Sequence, residues 1–252
     1  MEQNKTGKYL KYAIGEIVLV AIGILIAISI NNWNTNRINN KYVSLILKEI
    51  YYDLSDDYEI IYSGVEPRLK LMQLGVKKIK EFMIKGEAPS DSTFLVSYRN
   101  MKRGFLLSQS TGAFESLKLG GLDKIKNDSL RTRLLEFYES DIPRSIIFIS
   151  NREDFIQERI EILEADLFNF RFITINDSIK RHVIYPKNKE YINHQSLHKI
   201  YDLLSKDIRQ KNYRLKGLKQ AYDDVMHMIE KELEIRGIQF EYLDISALKR
   251  DF

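Results

Sequence analysis

Ala13 to Ile30 reads AIGEIVLVAIGILIAISI, eighteen residues whose only charge is Glu16. At about 1.5 Å per residue this run makes a helix of roughly 27 Å, enough to cross a hydrocarbon core with little tilt. Tyr9 and Tyr12 before it, and Trp33 after it, stand where interfacial aromatic anchors belong. The run reads as a transmembrane helix over 13–30, with residues 1–12 on one side of a lipid bilayer and residues 31–252 on the other. No other stretch constrains the chain as strongly.

Charge around the run sets the expected orientation. Lys5, Lys8 and Lys11 precede it, whereas Asn31 to Asn40 carries one Arg and six Asn. Lys and Arg near a span favour the cytoplasmic side, so the N-terminus is expected inside. The bulk of the chain is then periplasmic, held at the inner membrane by a single pass. A cleaved signal peptide shares the basic start and the apolar stretch, and Ala27-Ile28-Ser29 is a passable cleavage site. Against cleavage, the run exceeds a usual signal core and contains a carboxyl group.

That carboxyl group carries a sharper expectation. An acid within a span is costly and usually faces a partner, a cavity or an interface. Counted by helical turns, Glu16, Gly23, Ala27 and Asn31 gather on one face, with Gly15 beside it. Gly23 and Ala27 form a small-xxx-small pair, which lets two helices approach closely. The expected packing seam, with a second copy or another membrane protein, is therefore Gly15, Glu16, Gly23 and Ala27, with Trp33 as interfacial anchor. The plainer alternative is that Glu16, one turn from the edge, reaches the interface or is protonated.

Beyond the run there is chain enough for one or two domains with a real core. The sequence is 44% hydrophobic and 29% charged, the balance of a folded helical protein rather than a disordered one. Net charge is +4, of which residues 1–37 hold four bases and two acids. The remainder is too balanced to advertise a nucleic-acid surface, and no nucleic-acid partner is expected. With no cysteine, disulfides and thiolate metal sites are excluded. Four prolines and twelve glycines leave room for long uninterrupted helices.

Apolar residues at Val43, Leu47, Ile50, Leu54, Tyr58, Ile61 and Val65 step by three and four. They resume at Leu69, Met72, Val76, Ile79 and Met83, predicting a helix over about 41–85 that Pro67 kinks or divides. Gly86 to Pro89 should end it. Ser90-Asp91-Ser92 caps a short helix or opens an extended segment, Thr93 to Tyr98. A helix over 113–119 should stop at a left-handed Gly120-Gly121 cap. Asn127-Asp128-Ser129 caps the next helix, about 130–168, kinked at Pro143. Phe170 to Ile175 suits a short strand or a buried loop. A last helix over 194–235 ends at Gly237. The expected fold is mainly α, with a transmembrane helix followed by an antiparallel bundle of long helices around a short irregular central segment.

Two segments resemble a known family. The first comprises Tyr9 to Ile17 (YLKYAIGEI), Gly23 to Ala27 and Ile30 to Asn34 (INNWN); the second runs from Phe114-Glu115-Ser116-Leu117 through Gly121 to Asn127, then Leu130, Leu134 and Tyr138. Over residues 9–34 and 113–138 the chain resembles an uncharacterised family of single-pass Bacteroidota membrane proteins, a domain of unknown function. Its departure is Ile28-Ser29, where members tend to have a glutamine. The resemblance implies an inner-membrane protein with its domain in the periplasm, and implies that Glu16 is a family feature. It carries over no activity, substrate or catalytic residue.

The residues themselves offer little chemistry. Among His182, His194, His198 and His227, the pair His194 and His198 is spaced like metal ligands on a helix, but the residue after His194 is Gln195 rather than a zinc-protease glutamate. Asp223 and His227 make a similar pair with Asp224 adjacent; a solvated face is the expected reading for both. Ser108, Ser110 and Thr111 precede Gly112 without a nucleophile motif. Gly120-Gly121 lacks phosphate-loop spacing and reads as a helix stop that permits close packing. Glu161 and Glu164 look like ordinary helix surface, and Arg131, Arg133, Lys180, Arg181 and Lys187 are surrounded by acids. The tyrosines and phenylalanines read as core. No catalytic residue, cofactor or metal is called for. The expected function is that of a non-enzymatic interaction or scaffold module, with a ligand-sensing domain that signals through a membrane partner as the alternative and an envelope enzyme behind both.

Overall fold

The computed structural model describes residues 3–175 and 179–241. Its first helix, α1 (Gln3–Ile60), contains the apolar run without interruption and continues through a π-helical turn at Ile61–Val65 into α2 (Glu66–Lys85). The apolar run and the first bundle helix are thus one rod. The π turn explains how Pro67 is tolerated: Glu66 N–H reaches back to Ile61 O, so the ladder is already widened where the proline ring would crowd it. The chain repeats the device at Phe137–Asp141, just before Pro143, where Ile142 N–H bonds to Phe137 O.

Gly86 closes α2 in the left-handed conformation, and Ser90 opens α3 (Asp91–Lys102) by accepting the Thr93 N–H at 3.2 Å. The extended alternative for Thr93 to Tyr98 is overturned, because that cap and the buried Phe94, Tyr98 and Met101 at helical spacing favour a turn-by-turn fold. Helix α3 lies back along α2, with Met101 backbone so close to Gly75 that a Cβ there would come within 2.3 Å of Met101 N. After a loop come α4 (Gly112–Gly120) and α5 (Asp128–Glu136), the latter capped by Asn127, whose side chain accepts the Leu130 N–H. Gly121 ends α4 at φ +108 and ψ +103, a positive φ but not the left-handed helical cap expected there.

Helix α6 (Ile142–Leu167) leads into an antiparallel hairpin of β1 (Phe168–Ile175) and β2 (Ile179–Pro186). The FRFITI segment is therefore strand, and it pairs with a second strand that the sequence pattern does not announce. The last helix, α7 (Gln195–Ile235), starts at an N-cap, His194, and ends in a Schellman motif: Ile238 N–H to Leu233 O and Gly237 N–H to Glu234 O.

Helix α7 organises the core. It runs antiparallel to the α1–α2 rod, with Tyr51 opposite Glu230, Tyr58 opposite Asp223 and Glu66 opposite Lys219. It also runs antiparallel to α6, with Arg152 opposite Asp207 and Asp166 opposite Ser196. Val43, Leu47, Ile50 and Leu54 from α1 meet Leu218, Tyr222, Val225, Ile229 and Leu233 from α7 in one buried cluster. Each such side chain contributes about 1.5–3 kcal/mol when fully buried. One polar island sits inside. Lys211, 1% exposed, lies between Glu153 and Asp207, and Arg152 holds the other side of Asp207 at 2.8 Å, so the buried charges neutralise one another.

Candidate functional site

Every described side chain of α1 from Tyr12 to Ile38 is exposed, and this helix is long and apolar enough to cross a membrane. At about 100° per residue, Gly23 and Ala27 lie within about 20° of the Glu16 direction. Gly15 and Trp33 fall together on a flank about 100° away. The helix thus gathers three of the four expected seam residues on one line and sets Gly15 beside them. No atom lies within 4 Å of the position a Cβ would take at Gly15 or Gly23, so both leave open space for a neighbour. Trp33 is exposed, with the Arg37 guanidinium 5.6 Å from its ring centre.

The same face continues past the apolar run. Asn34, Ile38, Lys41, Leu45 and Tyr52 all fall within about 40° of the Glu16 direction, and all are exposed. Val43, Ile46, Leu47, Ile50, Tyr51 and Leu54, on the other sides, are buried against α4 and α7. From Val43 to Leu54 the bundle thus buries the sides of α1 that face away from the line of Glu16, Gly23 and Ala27. Ile38 and Leu45, each more than half exposed at 56% and 54%, lie there uncovered.

A second feature lies between α3, α6 and the hairpin: an open cleft of about 880 Å³ lined by Tyr98, Arg99, Lys102, Arg103, Glu161, Glu164, Phe170 and Ile184. Glu164 is buried at its floor, accepting from Tyr98 Oη at 2.8 Å and from Lys102 Nζ at 2.6 Å. Burial, with the Glu164 charge and its hydrogen bond, pushes the Tyr98 phenol well above its ordinary range and keeps it a neutral donor. The expectation that Glu161 and Glu164 are ordinary helix surface fails for Glu164. Its partners come from α3, more than sixty residues away, and nothing in its local sequence announces them. The α3 cations do carry a sequence signal. Arg99, Lys102 and Arg103 stand at i, i+3 and i+4, which becomes one face only once Ser90 is recognised as a helix cap.

The remaining chemical residues serve structure. His194 is not on the face of α7 but caps it, its Nδ1 accepting the Ser196 N–H at 3.2 Å, so it does not form a helical pair with His198. Asp223 accepts from Tyr58 Oη at 2.5 Å, which turns it away from His227; the latter, exposed, stands 3.6 Å from Glu230. Among the described residues, no group of three or more His, Asp or Glu is placed to hold a metal. The side chains of His182, Lys180 and Arg181 lie outside the described residues. Arg131 and Arg133 pair with Asp128 and Asp141, and Lys187 Nζ bonds to Ala165 O.

Ser110 tethers its loop to α1, giving both its N–H and its Oγ–H to Asp57 at 2.9 and 3.0 Å. Burial holds the Asp57 carboxyl above its ordinary range, against the hydrogen bonds from Ser110 and Tyr222 that pull it down and with repulsion from Asp53 adding to the rise. Gly120 acts as close-packing space: Tyr42 Oη, which donates to Ser116 O, would lie 1.9 Å from a Cβ there. The aromatic residues read as core are largely that, with Phe114 stacked on Tyr138 at 4.2 Å and Phe137 edge-on to Tyr222 at 4.9 Å.

No curated protein and no solved structure matches the chain. Residues 16–193, well over half of its length and enough to include both the uncovered face of α1 and the cleft, match a family described as a family of unknown function (DUF6090), and the chain belongs to that family.

Proposed function

We propose that this protein is a non-enzymatic interaction module, anchored in the inner membrane by residues 13–30 with its N-terminus in the cytoplasm and its helical bundle in the periplasm. It works by pairing α1 with a second membrane helix, from another copy or from a different membrane protein. The observation that carries this reading is the uncovered line along α1. The face with the small residues and the carboxyl group of the apolar run is the face the bundle leaves open as far as Tyr52. In the span, Gly23 and Ala27 let a partner backbone approach, and Glu16 gains a hydrogen-bonding group that lipid does not offer. Above it, Ile38 and Leu45 give the same partner apolar surface in water, where burial is favourable in its own right.

The test is crosslinking in native membranes at native expression, comparing wild type with Glu16→Leu. A discrete crosslinked species that weakens in the variant supports helix pairing through this face. An unchanged pattern reduces α1 to a tether and removes the reading.

A second reading, a ligand sensor that signals through a membrane partner, is favoured by the cleft. Its α3 wall packs on α2, and α2 is one rod with the apolar run, so occupancy of the cleft has a direct mechanical path to the anchor.

A further inference from the structure

The cleft between α3, α6 and the hairpin has a two-part lining that defines a ligand class, and the inference rests on the second reading above. We propose that it binds a small anionic amphiphile, with an oxyanion head (carboxylate or phosphate) on Arg99 and Arg103 and an apolar body against Phe170 and Ile184. The cleft volume, about 880 Å³, is within the range that small-molecule sites occupy.

The charges decide the sign of the head. Among the described residues that line the cleft are three cations and two acids, of which Lys102 and Glu164 are spent on each other at 2.6 Å. Among the described residues, Arg99 and Arg103 have no carboxylate at ion-pair distance, and both are exposed. Arg99 stands in the last turn of α3 and Arg103 caps its C-terminus four residues on, so the two side chains leave one end of the helix and can converge on one oxyanion, each with the bidentate geometry that carboxylates and phosphates accept. Among the described lining residues Glu161 alone opposes them, and their unpaired charge is positive. A cationic ligand would meet two guanidinium groups and a carboxylate already satisfied by Tyr98 and Lys102.

The opposite wall decides the body. Phe170 is 47% exposed at the cleft, and Ile184 lies across from it on β2, their backbones paired in the hairpin register. An apolar group set against them removes water from both surfaces.

Geometry also fixes where the ligand comes from. Met101, one residue from Lys102, packs against Gly75, which lies 45 residues beyond Ile30 along the α1–α2 rod. At about 1.5 Å per residue that is a helix contour of roughly 68 Å. With the rod standing along the membrane normal in the proposed anchoring, headgroups do not reach the cleft and the amphiphile arrives dissolved.

The experiment uses the full chain in lipid nanodiscs and titration calorimetry, with empty discs subtracted. The probes are 1-naphthoate, 1-naphthyl phosphate, uncharged 1-naphthol and inorganic phosphate. The proposal expects saturable binding of at least one naphthyl anion, about tenfold or more tighter than naphthol or inorganic phosphate. That binding weakens about tenfold or more in Arg99→Gln/Arg103→Gln, whose substitutions are exposed and leave the helical circular dichroism unchanged. Preference between the two naphthyl anions identifies a carboxylate or a phosphate head. Naphthol binding as tightly as the anions, or the double variant binding like wild type, overturns the anionic class; if Phe170→Ser still abolishes such binding, the ligand-sensing cleft itself survives. No saturable binding by any probe overturns both.

Discussion

The two halves of α1 share one continuous helix and obey different rules. From Tyr12 to Ile38 the helix is exposed on every side and apolar nearly all round through Ile30; from Val43 to Leu54 it carries an apolar stripe that is fully buried. A helix apolar on all faces suits a medium without water, whereas a striped one suits the edge of a core. A single face is nevertheless common to both halves. In the first half it holds Glu16, Gly23 and Ala27, and in the second it holds the exposed Lys41, Leu45 and Tyr52. Helical phase thus links a feature meaningful in lipid to a vacancy in the folded domain.

The contrast breaks most visibly by truncating one leucine in each half. Leu54 is completely buried, and Leu54→Ala is expected to destabilise the bundle by about 2–5 kcal/mol. Leu25→Ala, exposed and on the far side of the helix from Glu16, should leave bundle unfolding unchanged. Thermal unfolding in nanodiscs followed by circular dichroism measures both; a large shift from Leu25→Ala would mean that the apolar run is part of the domain core.

Asp57 distinguishes the buried half by its pH dependence. Because burial raises its folded-state pKa above the ordinary value of 3.8, the stability it contributes is fully present below 3.8 and is lost as pH rises through the higher folded value. The stability of wild type relative to Asp57→Asn should therefore fall with rising pH, from about pH 4 upward. A difference independent of pH would contradict the desolvated position given to this carboxyl.

The smallest effect on folding is expected at the shared face. Leu45→Ala and Tyr52→Ala should change bundle stability by no more than about 0.5 kcal/mol, while reducing crosslinked pairs in membranes. A large stability loss instead would show that these side chains serve the bundle.

Periodicity made much of this molecule readable. All seven residues of the stripe from Val43 to Val65 are buried, as are Leu197, Ile200, Leu204, Ile208, Leu215, Leu218, Tyr222, Val225, Ile229 and Leu233 at like spacing in α7. The caps at Asn127 and Gly237 follow from local chemistry, and so are visible in a single sequence. The features that escaped are non-local. Strand β2, IKRHVIYP, mixes bases with β-branched residues and becomes a strand by pairing with β1. Glu164 is buried because Tyr98 and Lys102 reach it from another helix. The outer face of α1 was half legible. Glu16, Gly23 and Ala27 share a face by their spacing alone, but its extension to Tyr52 required knowing which sides of the helix the bundle covers.

The chain has no cysteine, so single cysteines introduced along α1 report on one position at a time. The most direct test of helix pairing is oxidative crosslinking in membranes of Gly23→Cys, Ala27→Cys, Asn34→Cys and Leu45→Cys against Leu25→Cys, Asn32→Cys and Asn36→Cys on the opposite side. Efficient crosslinks at the first set and little at the second, a helical period carried unbroken from the apolar run to Leu45, is the predicted result. Equal crosslinking on both sides, or a maximum on the side of Leu25 and Asn32, would contradict the account.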